Sequence, residues 1–182
     1  MAYHLWSQSE LPIASVDLAT QTVTFGKKSV FRLGDDFKPG PGRYVIENVY
    51  EALDTPGQWY LDRPSGVLTY LPMDGETPAG TEVIAPRITE FVRLKGAPDK
   101  PIQHVQFDRL TFAHAEYDLP ASIAGDGQAA HTVPGAIVLE HAQACRIRRC
   151  TVQHIRSYAI EILGKSRDNA VAGCTLEDMG AG

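Results

Sequence analysis

Through residues 1–97 apolar and polar positions alternate in short runs, and no run keeps apolar residues at i, i+3, i+4 for the ~11 residues that a helix requires. The alternation predicts strands bounded by turns. Ile13 to Asp17 and Thr22 to Phe25 flank Leu18-Ala19-Thr20-Gln21 as the arms of a hairpin. Tyr44 to Val49 is a β-rich run after the breaker Pro39-Gly40-Pro41-Gly42. Trp59 to Asp62, a turn at Arg63-Pro64-Ser65-Gly66, and Val67 to Leu71 form the clearest hairpin, with aromatic residues placed to pair across it. Glu82 to Ala85 and Phe91 to Leu94 close the segment. Residues 1–96 are thus expected to form a small antiparallel β domain of the sandwich type, in which Trp and Tyr serve packing before they serve as sugar-stacking platforms.

From residue 97 the pattern changes to a repeat. Phe107 to His114 aligns with Ile147 to His154 and with Val171 to Asp178, giving apolar-x-x-(Leu/Cys)-Thr-apolar-x-(His/Asp) three times. A second element, Ala136 to Leu139, returns as Ala159 to Ile162. The last two copies of the first element are 24 residues apart and the copies of the second are 23 apart. At about 3.3 Å per residue, that length circles a small triangular core once, so residues 97–182 are expected to begin a right-handed parallel β-helix of about two to three coils. Leucine-rich repeats share the period but not this pattern. Phe107, Ile147 and Val171 should stack on one inner ladder, Val152 on Leu176, and Cys150 on Cys174.

The first interval is longer, 40 residues from Phe107 to Ile147, and the excess lies between Phe112 and Ala136. It falls where the shorter coil has only the corner His154 to Tyr158. That corner carries a ladder of His114, His154 and Asp178, while Glu161 takes an outward strand position between Ile160 and Ile162. Loops held on a rigid scaffold are where function concentrates.

Composition narrows the function. Lys and Arg number 17 against 22 Asp and Glu, a net charge of −5, which is the wrong sign for a generic nucleic-acid binder. No apolar run reaches the length of a membrane span, and the first residues show neither a basic nor an apolar signal-peptide region. The three cysteines, Cys145, Cys150 and Cys174, lack the spacing of a zinc site and fit the interior as small apolar side chains. Neither metal nor cofactor is implied. Arg146, Arg148, Arg149 and Arg156 read as a solvated outer face.

The segment Glu47 to Asp62, with Gly66 to Tyr70, resembles the inserted domain of bacterial right-handed parallel β-helix carbohydrate-active enzymes. So do Asp126-Gly127-Gln128-Ala129-Ala130, Tyr158 to Ile162 and Glu177 to Gly182. The chain is similar in these stretches to glycoside hydrolase families 120 and 141, which act on plant polysaccharides. The resemblance implies an oligo- or polysaccharide substrate, an extracellular or periplasmic parent protein, and a chain that starts inside the inserted domain and stops after the first coils. A chain so bounded is expected to be weakly stable or self-associating, and inactive by itself.

Glycoside hydrolysis uses two carboxyl groups, about 5–5.5 Å apart for retention and about 6.5–9.5 Å for inversion. Asp178 and Glu161 are the candidates on the corner edge, and Asp178 leads because Gly180 and Gly182 beside it would let a sugar approach the backbone. His114 and His154 would bind sugar hydroxyls or tune a carboxyl group. By resemblance, Asp126, Gln128 and Tyr158 are further substrate ligands. Against this stand a turn-capping role for Asp178, a solvated role for Glu161, and two rival functions: a non-catalytic carbohydrate-binding or structural β-helix, as in adhesins and phage spikes, and a polysaccharide lyase, for which closely spaced Asp residues are lacking.

Overall fold

The computed structural model describes residues 1–4 and 6–181. The described residues are all-β apart from one 3-10 turn at Tyr50–Ala52, and no helix among them is long and apolar enough to cross a membrane. The chain divides into two compact units, residues 1–83 with 120–129, and residues 84–119 with 130–182.

The first unit contains three small antiparallel sheets. Strands β1 (Ala2–Tyr3), β2 (Gln8–Ser9) and β5 (Arg43–Tyr44) make one, in the order β2-β1-β5. β3 (Ile13–Asp17) and β4 (Thr22–Phe25) make the expected hairpin, its turn held by Asp17 Oδ1 accepting from the Ala19 amide at 2.9 Å. β6 (Trp59–Asp62) and β7 (Val67–Tyr70) make the other, with Trp59 facing Tyr70 and Leu61 facing Leu68. Every residue of β3 and β4 is exposed, so that hairpin lacks the buried inner face that a sandwich requires. Two expected strands are shorter or missing: of the run Tyr44 to Val49 only Tyr44 lies in a strand, and among the described residues no strand forms at 82–85. The latter run is only four residues long, and without a partner an isolated strand leaves its amides to water.

The second unit is a stack of parallel strands. β8 (Val92–Lys95), β12 (Gly135–Glu140) and β16 (Tyr158–Leu163) form one sheet in the order β16-β12-β8. β10 (Gln106–Asp108), β14 (Arg146–Arg148) and β17 (Ala170–Ala172) form a second, β11 (Thr111–Ala115), β15 (Thr151–Ile155) and β18 (Thr175–Met179) a third, and β9 (Ile102–Gln103) pairs in parallel with β13 (Ala142–Gln143). The register is the one the repeat predicts: Phe107, Ile147 and Val171 pair in series, as do Phe112, Val152 and Leu176, and Ile137 with Ile160. β8 extends this stack by one rung, Val92 opposite Ile137, although residues 1–96 had been expected to form the antiparallel domain.

Parallel pairing in register follows from the period. A strand entering one repeat later finds the same inward positions apolar, and a one-residue slip would expose them all. Ile137, Leu139, Ile147, Cys145, Cys150, Val152 and Ile155 are buried in a single core against which Phe91, Phe107, Phe112 and Cys174 pack. All three thiols are free, as small apolar fillers. Corners are made by left-handed backbone. Positive φ recurs at His104, Ala144 and Asp168 (59°, 54°, 58°), at Arg109, Arg149 and Gly173 (58°, 52°, 63°), and at His114, His154 and Asp178 (67°, 54°, 50°). Each set lines up with the strand register, so every repeat turns at the same places. Asn169 locks one turn to the rung beneath, its Oδ1 accepting from the Cys145 amide and its Nδ2 donating to the Ala142 carbonyl, both at 2.9 Å.

Candidate functional site

The third set of corners brings three of the predicted residues together. β11, β15 and β18 end in consecutive rungs, so His114, His154 and Asp178 come out of the same corner one above another. The His114 and His154 rings stack with centroids 5.0 Å apart and planes 15° from parallel. His154 Nδ1 lies 2.6 Å from Asp178 Oδ2. The Asp178 side chain is 72% exposed and that of His154 47%, so the pair is open to solvent and to a substrate.

In a neutral His154 ring the Nδ1–H donates to the carboxylate and Nε2 carries the lone pair, which leaves a proton acceptor on the outer side of the dyad. With the ring protonated, the same contact is an ion pair. Either way a carboxylate and an imidazole are held in one place by backbone geometry, as proton transfer at a substrate requires.

Left-handed backbone also gives these residue types a conformational reason to be there. His and Asp tolerate positive φ better than most side chains, and their short polar groups bond locally. The corner at His104 and Asp168 repeats these residue types at positive φ, with Ala144 between.

Glu161 lies elsewhere, on β16. Its Oε2 accepts from the Gly135 amide at 3.1 Å, and its charge acts on Arg93, which is aligned with it across Val138. Arg93 itself is paired with Glu90, and hydrogen bonding to that carboxylate first, with Glu140 and Glu161 adding charge, raises its pKa. Tyr158 starts the same strand opposite Gly135 and is half-buried. Asp126 and Gln128 belong to the first unit, where they flank Gly127.

Two of the four clustered arginines, Arg149 and Arg156, are paired on the surface. Arg149 Nε donates to Asp108 Oδ1 at 2.8 Å and Nη2 reaches Oδ2, which lowers the Asp108 pKa, while Arg156 Nη1 lies 3.3 Å from Glu116. Such exposed pairs contribute little to stability. Among the described residues no group of three or more His, Cys, Asp and Glu side chains is arranged to hold a metal ion.

Alternation in residues 1–40 supplies no reason to group His4, Trp6, Phe31, Arg32, Asp35 and Asp36, yet these residues line one cavity in the first unit. The available signal was local: an indole between two short strands, and consecutive carboxylates after Gly34. In comparisons with protein-family models, with curated proteins and with solved structures, nothing matches the chain.

Proposed function

We propose that the second unit is part of a right-handed parallel β-helix and that its His114–His154–Asp178 corner serves glycoside hydrolysis, with Asp178 as the principal carboxylate. The observation that carries the reading is the exposed Asp178 carboxylate fixed by His154 Nδ1 at 2.6 Å. A carboxyl group in that setting can exchange a proton with, or attack, a sugar bound against the corner, and Nε2 of the adjoining ring can bind a hydroxyl. The substrate is an oligo- or polysaccharide, met in an extracellular or periplasmic setting. In-register parallel pairing at a 24-residue period supports the coil architecture.

One observation favours a second reading, a non-catalytic glycan-binding or structural solenoid. His114, His154 and Asp178 all occupy positive φ, at 67°, 54° and 50°, where His and Asp are favoured for backbone reasons alone.

Two substitutions separate the readings. The protein is assayed on xylan, fucoside and pectin substrates as wild type, Asp178→Asn and Asp178→Gly. Glycine suits the left-handed corner at least as well as aspartate, so a purely conformational role predicts wild-type behaviour for it. A catalytic carboxylate predicts that both variants lose about 100-fold or more in kcat with KM nearly unchanged. Turnover equal to wild type in Asp178→Gly would return the residue to its corner.

A further inference from the structure

The cavity in the first unit has the chemistry of a sugar subsite. It measures about 280 Å³ and is lined by His4, Trp6, Phe31, Arg32, Asp35 and Asp36, together with Gly34. Trp6 sits between β1 and β2 and is 61% exposed, yet it is anchored: its Nε1–H donates to the Gly127 carbonyl at 3.1 Å. The bond satisfies the polar edge of the indole and leaves its face apolar.

The Gly127 carbonyl is itself held in place. The Glu10 amide donates to the Ala124 carbonyl at 2.7 Å, and Lys27 Nζ donates to the Ile123 carbonyl at 2.7 Å. At Gly125 a Cβ would lie 2.2 Å from the Gln8 carbonyl oxygen, so only glycine allows segment 120–129 to lie this close to β2. The excursion that interrupts the parallel repeat thus ends by fixing an aromatic ring.

The rest of the wall is polar and also held. The Phe31 ring meets His4 edge to face with centroids 5.3 Å apart. His4 Nδ1 lies 3.5 Å from Asp36 Oδ1, and its Nε2 is buried with no hydrogen-bond partner among the described residues. Asp35 Oδ1 accepts from the Phe37 and Lys38 amides at 2.8 and 3.1 Å, which sets the loop and leaves its second oxygen as an acceptor.

We infer that this cavity binds one pyranose ring of a neutral oligosaccharide, with a C–H face on Trp6 and Phe31 and hydroxyls on Asp35, Asp36 and Arg32. The mixture is what a sugar presents: an apolar face and a rim of groups that both donate and accept. Two carboxylates against one guanidinium disfavour an anionic sugar, which would bring like charge to Asp35 and Asp36. The inference takes only the carbohydrate class from the proposed function. It adds a binding subsite in the first unit that does not involve Asp178.

Intrinsic fluorescence reads this directly, because the chain has two tryptophans, Trp6 and Trp59. The full chain is titrated with xylohexaose, cellohexaose and trigalacturonate. At least one neutral hexasaccharide should give a saturable change, with trigalacturonate about tenfold weaker or worse. Trp59→Ala should retain the signal and the Kd. Trp6→Ala should raise the Kd, read by calorimetry, about tenfold or more, and Trp6→Phe should lose less because a ring remains. Circular dichroism matching wild type shows that the Trp6 variants are folded, and Arg32→Gln, on an exposed side chain, gives a second variant expected to weaken binding severalfold. Asp178→Asn should leave this binding unchanged while abolishing turnover, so the two proposals can fail separately. The inference is overturned if neither neutral hexasaccharide saturates by about 10 mM, if trigalacturonate binds more tightly, or if folded Trp6→Ala binds as wild type does.

Discussion

Ile147→Ala tests the stacked parallel core where it is most constrained. Ile147 is 1% exposed and pairs on one side with Phe107 and on the other with Val171. Removing three buried carbons loses about 2.4 kcal/mol at roughly 0.8 kcal/mol for each. The cavity adds to this, because ladder hydrogen bonds on both sides hold the neighbouring rungs apart: the Arg146 amide bonds to the Val105 carbonyl and the Ala170 amide to the Cys145 carbonyl. The total should be about 3–4 kcal/mol, inside the range for such truncations. Val171→Ala, at the next rung of the same ladder, removes two carbons from a residue that is 43% exposed and should cost less than about 1 kcal/mol. In urea unfolding of the 182-residue chain followed by far-ultraviolet circular dichroism, with an m-value of about 2 kcal/mol/M, Ile147→Ala should lower the midpoint by about 1.5–2 M and Val171→Ala by less than about 0.5 M. Equal shifts, or a larger one for Val171, would show that β14 is not an interior rung.

Two further outcomes follow from the corners and the surface pairs. Ala144 has φ 54° without a side chain that favours it, so Ala144→Gly should stabilise the chain by about 0.5–1 kcal/mol in the same assay, and a loss of stability would refute left-handed backbone there. The Arg149 guanidinium bonded to Asp108 holds that carboxyl below its ordinary 3.8. The pair therefore contributes fully above the unfolded value and is lost as pH falls through the lower folded one. Carboxyl titration by NMR should find the Asp108 midpoint below 3.8 and see it rise in Arg149→Gln; an unmoved midpoint would rule out that cause.

How much of this was legible depended on whether the information was local or periodic. The β3–β4 and β6–β7 hairpins are local, their turns written in Asp17 and in Pro64-Ser65-Gly66, and both were predicted to within a residue. The register of β14 with β17 and of β15 with β18 is periodic, carried by repeated Thr, Cys and aliphatic positions. The strand expected at 82–85 fails because β-rich composition alone supplies no partner. β8 was placed in the wrong unit because a single rung, Val92–Lys95, precedes a long interruption and its pairing with β12 leaves no spacing signal. At the candidate site, His114, His154 and Asp178 were readable as one ladder because all three end the repeated strand. Their left-handed backbone was not, since positive φ at His114, His154 and Asp178 leaves no glycine in that corner to announce it. The cavity around Trp6 was equally hidden, being assembled from residues 4–36 and a loop more than 80 residues later.

The unequal lengths of the repeats have a consequence for how such a chain can change. Between β15 and β16 the polypeptide crosses in two residues, 156–157, whereas between β11 and β12 it takes nineteen, 116–134. The strands on either side nevertheless keep the same pairing. Loop-closure entropy grows only as the logarithm of length, so this difference amounts to about 2 kcal/mol, less than the loss of one buried isoleucine. The junction after the His114 corner therefore acts as a port, where a stretch of chain can leave, build something beside the first unit's strands, and return without disturbing the rungs. Recognition elements can be exchanged at that port while the scaffold stays as it is, and grafted segments of widely different length should be accepted there more readily than at any of the tight turns locked by Asn169 and its neighbours.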